Sequence, residues 1–130
     1  MTRCRLILFT RYPEAGSTKT RLIPALGSHG AARLQARMTE QMVRNVLGSE
    51  HTARLDLECR YHGGSAFAVR NWLGPGPSLR PQAEGDLGEK MHDALRAASD
   101  QGAASALIAG TDCPQLSPEA IARAADRLRS

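Results

Sequence analysis

Two short apolar runs, one near each end of the chain, limit what it can fold into. Leu6-Ile7-Leu8-Phe9 sits inside the stretch Arg5 to Thr10, and a second run covers Ala104 to Ala109. Both are too short for a core helix and do not alternate with polar residues. That pattern suits strands, and in Arg5 to Thr10 a strand buried on both faces, as the inner strands of a parallel sheet are. Between them lie further strand and helix signals in alternation. Leu34, Met38, Met42 and Val46 recur every four residues and predict a helix from about Ser28 to Leu47, with Ser28 and Gly48 as its caps. Leu55, Leu57 and Cys59 alternate with Arg54, Asp56, Glu58 and Arg60, which predicts a half-buried strand over Ala53 to Tyr61. A short helix is expected over Ser65 to Leu73. Gly74-Pro75-Gly76-Pro77 stops it, and a weak extended segment follows over Ser78 to Gln82. Asp86 is placed to cap a helix running to Ser99, whose expected buried face is Leu87, Met91, Ala94, Leu95 and Ala98. Ser117-Pro118-Glu119 opens the last helix, with Ile121, Ala124, Ala125 and Leu128 facing inward. Repeated strand–helix alternation implies an α/β layered fold with a mostly parallel sheet.

Composition agrees with one such domain. The 130 residues are 42% hydrophobic and 23% charged, which supplies a core and excludes a disordered chain. Aromatic residues are only 4%, so stacking platforms for single-stranded nucleic acid are lacking. The net charge is +4, and all but two of the 17 basic residues are arginines, which favours an anionic ligand. Cys4, Cys59 and Cys113 form no CxxC pair, so zinc-ribbon and thioredoxin chemistry are excluded and reduced cytosolic thiols are expected. No apolar run is long enough for a signal peptide or a membrane span, and a soluble, cytoplasmic protein is expected.

Three stretches carry chemistry. The loop after the first strand, Thr10 to Arg21, packs Gly16, hydroxyl groups, Lys19, Arg11 and Arg21 into twelve residues. Backbone N–H groups, an ammonium and guanidinium forks together suit a diphosphate, while a solvated basic turn is the plainer reading. It is neither a Walker loop, since Thr18 precedes Lys19, nor a GxGxxG fingerprint. Gly110-Thr111-Asp112-Cys113-Pro114 sets one carboxylate just past the second apolar strand. There Asp112 could hold Mg²⁺ or Mn²⁺ or merely shape an Asx turn before proline. Gln82 to Met91 brings Gly85, Asp86 and Gly88 to a helix entrance. Glycines there allow close backbone approach and a helix start favours anions, although Asp86 reads first as a cap. His92 reads as a plain helix residue, and His29, His51 and His62 as solvated. No Ser-His-Asp or Cys-His set can be assembled, so nucleophilic hydrolysis is unsupported, and Cys113 reads as a packing residue.

Taken together, LILFTRYPEAGSTKTRL at Leu6 to Leu22, GDLGEKM at Gly85 to Met91 and GTDCP at Gly110 to Pro114 resemble one bacterial glycosyltransferase family. It is the arsenosugar-biosynthesis-type (radical-SAM/selenodomain-associated) family, and the resemblance runs through essentially the whole chain. It implies a Rossmann-like three-layer sandwich with the nucleotide-diphospho-sugar transferase fold. It further implies that Thr10, Arg11, Pro13, Gly16, Lys19, Thr20 and Arg21 hold the nucleotide and its diphosphate. Gly85, Asp86 and Gly88 would lie beside the nucleoside or sugar. Asp112 would bind Mg²⁺ or Mn²⁺, and Asp112 and Lys19 would be the catalytic residues. Pro114 stands where related transferases carry a second acid. Members of the family run longer, so residues 1–130 are expected to be the N-terminal part of a single, incomplete domain.

The function implied is metal-dependent transfer of a sugar from a nucleotide-diphosphate donor to a small acceptor. The alternatives are a nucleotidyltransferase on the same fold and a non-catalytic nucleotide-binding fragment. The expected partner is a nucleotide sugar or nucleotide, with neither nucleic acid nor membrane. An open sheet edge makes a homo-oligomer a further expectation.

Overall fold

The computed structural model describes residues 3–14, 23–110 and 117–129. Four strands, β1 (Cys4–Arg11), β2 (Leu55–His62), β3 (Ser78–Pro81) and β4 (Ser105–Gly110), form one sheet in the order β3-β2-β1-β4. Every pairing is parallel. The helices are α1 (Ile23–Gly48), α2 (Ala66–Leu73), α3 (Leu87–Asp100) and α4 (Pro118–Arg129), with one 3-10 turn at Glu50–Thr52. The α/β expectation therefore holds.

Side-chain alternation along β1 makes two cores back to back. Leu6 and Leu8 point to one face, where Met42, Val43 and Val46 of α1, Leu57 and Cys59 of β2 and Ile121 of α4 close over them. Ile7 points to the other face and meets Ala94 and Ala98 of α3. Ile7 and Leu8 have no exposed surface at all. Burial on both faces is what the unbroken apolar run demanded.

Helix α1 breaks at Gly27, whose φ of 73° is left-handed, so the long regular part begins at Ser28 as the sequence indicated. Its inward stripe differs from the expected one, because Gln35 and Thr39 are buried within it and Leu34 and Met38 are only half-buried. These two polar residues reach β1: Thr39 Oγ1 lies 2.8 Å from Thr10 Oγ1, and Gln35 Nε2 donates to Thr10 Oγ1 at 3.1 Å and to Thr39 Oγ1 at 3.0 Å. A buried polar group is tolerated when it is hydrogen-bonded, and this trio ties the carboxyl end of β1 to the helix.

Two expected faces are corrected. Strand β2 is not half solvated, since Glu58 and Arg60 are buried along with Leu57, Cys59 and Tyr61. They are buried because they pair. Arg60 Nε donates to Glu58 Oε2 at 2.7 Å and Nη1 donates to Asp93 Oδ2 of α3 at 3.1 Å, while Arg5 Nη1 reaches Glu58 Oε1 at 3.3 Å. Arg5 also donates to Gln101, just past α3. On α3 only Ala94 and Ala98 are buried, whereas Leu87, Met91 and Leu95 are exposed. The helix lies close to the sheet on two alanines, with its charged flank toward β2. Leu128 of α4 is likewise exposed, leaving Ile121 and Ala125 to anchor that helix.

Burial pushes the Cys59 thiol up to about 12, the Glu58 charge adding to it and Arg70 opposing. The folded chain thus keeps a proton that the unfolded chain releases near 9.0. Its contribution to stability is complete below that pH and is lost as pH rises toward 12. Two outcomes are expected. Alkylation at pH 8 leaves Cys59 unmodified in the native protein, and urea midpoints fall above pH 9 more steeply in wild type than in Cys59→Ala. Glu58→Ala strands a buried guanidinium and should cost about 3 to 5 kcal/mol, read from urea unfolding at unchanged slope.

Candidate functional site

The strand order places the site. From β1 the chain steps outward to β2 and β3 with α1 and α2 on one face, then crosses back to β4 on the far side of β1 with α3 on the other face. Right-handed crossovers require that change of face. In open α/β sheets the crevice at the carboxyl ends lies where the strand order reverses, and here that point falls between β1 and β4. Phe9 of β1 is in register with Gly110 at the end of β4. The carboxyl ends of β1 and β4 therefore lie side by side. Helix α3 runs antiparallel to the strands, which brings its entrance, Gly85 to Gly88, to the same edge.

The sequence-derived residues that the structure describes are Thr10, Arg11, Pro13, Gly85, Asp86 and Gly88. Thr10 is buried with its hydroxyl in the trio with Thr39 and Gln35, so it holds the base of the loop in place. Arg11 ends β1 with an exposed side chain, and Pro13 is half-buried. Between them, Tyr12 N donates to His62 O at 2.8 Å, and the Tyr12 ring meets Trp72 of α2 edge-on at 5.8 Å between centroids. A Cβ at Gly64 would stand 2.7 Å from the Tyr12 ring, so glycine there lets the loops after β1 and β2 close on each other.

At the α3 entrance Gly85 has a φ of 111°, and a Cβ on it would press within 2.8 Å of the Glu89 carboxyl. Asp86 is the N-cap. Its side chain accepts from Glu89 N at 2.9 Å, and Glu89 Oε1 accepts from Asp86 N at 3.2 Å, a complete capping box. Two carboxylates of the chain itself thus occupy the positive end of the helix. The cap reading of Asp86 holds. Gly88 is exposed beside the two carboxylates.

Gln82 was not singled out from the sequence, yet it joins the edge together. Its backbone N donates to Tyr61 O at 2.8 Å, and its side-chain Nε2 donates to Thr10 O at 3.0 Å and to Arg60 O at 3.1 Å. A polar amide directly after Pro81, where β3 ends, was the available signal. Gln35 and Thr39, one turn apart on an apolar helix stripe, were another.

Gly16, Lys19, Thr20, Arg21 and Asp112 lie outside the described residues. Among the described residues no group of three or more His, Cys, Asp or Glu could hold a metal. One cavity of about 420 Å³ lies at the opposite, amino end of the strands, lined by Arg5, Leu47, Leu55, Glu58, Gly76 and Ser78 among others. Among the described residues, none of the three stretches contributes to its lining. No helix among the described residues is long and apolar enough to cross a membrane.

Residues 45–130 match the family described as "Uncharacterized protein conserved in bacteria (DUF2064)", and the chain belongs to that family. Among curated proteins none matches. Among solved structures the chain is similar to one from Desulfovibrio desulfuricans G20, described as a "putative nucleotide-diphospho-sugar transferase". The TM-score is 0.89 at 31% identity, over 99% of this chain and 55% of that one. The chain thus spans about half the length of that neighbour.

The capping box gives its own test. Asp86→Ala should cost about 1 kcal/mol and lower the melting temperature by several degrees, and Asp86→Ser should restore most of it. Full stability in the alanine variant would remove the cap.

Proposed function

We propose that this member of the DUF2064 family binds a nucleotide-diphosphate sugar at the carboxyl edge between β1 and β4 and transfers the sugar to a small acceptor. The observation that carries the reading is the pairing of β1 with β4 at the point where the crossovers change face. It sets the ends of β1 and β4, beyond which the sequence carries Lys19 and Arg21 and Asp112 respectively, at the same edge as the α3 entrance. Similarity to the Desulfovibrio protein over 99% of the chain supports the same substrate class. The finer assignment, to glycosyltransferases of the arsenosugar-biosynthesis type acting in the cytoplasm, rests on the three motifs.

The chemistry asks little covalent work of the protein. As the bond from the sugar to the diphosphate breaks, negative charge gathers on the leaving diphosphate, and fixed positive charge lowers that barrier. Arg11, Lys19 and Arg21 supply such charge from the β1 side, and Gly16 with Thr20 adds backbone and hydroxyl donors. Asp112 would hold Mg²⁺ or Mn²⁺ together with phosphate oxygens. When bound, the cation supplies further neutralisation of the leaving group. Pro13 stiffens the loop, and Thr10 keeps its base against α1. Gly85 and Gly88 allow the uncharged parts of the donor to come close to backbone.

Thermal unfolding against UDP, GDP, ADP and CDP sugars, with and without Mn²⁺, tests this. A ligand at a hundred times its dissociation constant should add about 2.7 kcal/mol and raise the midpoint by several degrees. Asp112→Ala should abolish the manganese-dependent part. Lys19→Ala should weaken diphosphates far more than nucleosides. A cooperative melt that no nucleotide shifts would overturn the proposal.

A further inference from the structure

Gln82 has a hydrogen-bonding inventory that is half spent. A primary amide offers two N–H donors and one carbonyl acceptor. Both donors are used, on Thr10 O at 3.0 Å and on Arg60 O at 3.1 Å, the carbonyls of neighbouring strands at the carboxyl edge. Because both partners can only accept, the amide cannot flip: an oxygen in place of Nε2 would face two carbonyl oxygens. The backbone N is fixed as well, on Tyr61 O. The side-chain oxygen is therefore held in one orientation. It makes no hydrogen bond among the described residues, and it is not among their buried polar atoms that lack a partner. Gln82 itself is half-buried. What remains is an oriented acceptor, open to solvent, on the strand edge that carries the proposed site.

The surroundings fix what it can accept from. The diphosphate bridge of a nucleotide sugar has no hydrogen to donate at neutral pH, and the groups that follow Gln82 include three exposed carboxylates, Glu84, Asp86 and Glu89. The described cation of the proposed site, Arg11, ends β1. Resting on the donor-site reading above, we infer that Gln82 is a ligand-reading residue, whose Oε1 accepts a hydrogen bond from an N–H or O–H of the uncharged part of the donor. The donor then lies along the edge with its diphosphate toward β1 and β4 and its nucleoside or sugar toward Gln82. Nucleoside and sugar present the same donor chemistry, and the test separates them.

Dissociation constants for pyrophosphate, a nucleoside diphosphate and its sugar conjugate are measured on wild type, Gln82→Met and Gln82→Lys. Methionine removes the acceptor at similar length, and lysine keeps a donor for the two carbonyls, so at least one variant retains the native melting temperature. Pyrophosphate binding should stay within about twofold in Gln82→Met, whereas the nucleotide ligand loses about tenfold. Loss shared by the diphosphate and its sugar conjugate assigns the contact to the nucleoside, and loss confined to the conjugate assigns it to the sugar. Equal weakening of pyrophosphate and nucleotide, or unchanged affinity for all three, would reduce Gln82 to a clamp and overturn the inference. If wild type binds none of the three, the donor-site reading itself has failed.

Discussion

The hydrogen-bonded pairing of β1 on both its edges is the constraint from which the remaining architecture follows. One strand receives β2 on one side and β4 on the other, all parallel, and buries Leu6 and Leu8 on one face and Ile7 on the other. A parallel sheet can be built only with crossovers, and right-handed crossovers to both sides of one strand must use both faces. The meeting of the carboxyl ends of β1 and β4 at one edge is thus a by-product of topology, present before any side chain is chosen. Chemistry enters through which residues the loops after those strands carry. The Thr10, Gln35 and Thr39 trio then converts the end of β1 into a fixed base for one of them.

Charge is distributed unevenly around that edge. On the α3 side the helix entrance is already saturated by Asp86 and Glu89, and further down Asp93 is committed to Arg60. Arg11, the described cation of the proposed site, ends β1 on the other side of the edge. Burying Arg60 beside Glu58 contributes to this order, because it fixes the rotation of α3 about its own axis where two alanines alone would not. Ion pairs of this kind are weak sources of stability against an apolar replacement, and their use here is positional.

Strand and helix order was legible because each element carries a local signal. The apolar runs of β1 and β4, the short helix α2 beginning after Ser65 and the Asp86 cap of α3 all fall where the sequence signals placed them. Side-chain environment was less legible. Alternation in β2 read Glu58 and Arg60 as solvated, because a sequence pattern cannot show that two opposite charges will neutralise each other under a helix. Leu87, Met91 and Leu95 read as core for the complementary reason: helical spacing defines a stripe but not which neighbour exists to cover it. The candidate site was legible as three motifs. Gln82, which acts through two backbone carbonyls far away in sequence, left only its place after Pro81 as a sign.

The alanine contact beneath α3 sets more than packing. Ala94 and Ala98 are the smallest spacers that still exclude water, so the helix rests at nearly its closest approach to the sheet. From Ala94 back to Asp86 is about 12 Å of rigid helix. A larger side chain at either alanine would act as a fulcrum: the helix would tilt about it, and its entrance would swing away from β1 and β4. The distance of the α3 entrance from β1 and β4 is therefore gauged by two methyl groups buried beneath the helix. Chains that share this topology can lengthen or shorten that distance without altering one residue of the edge.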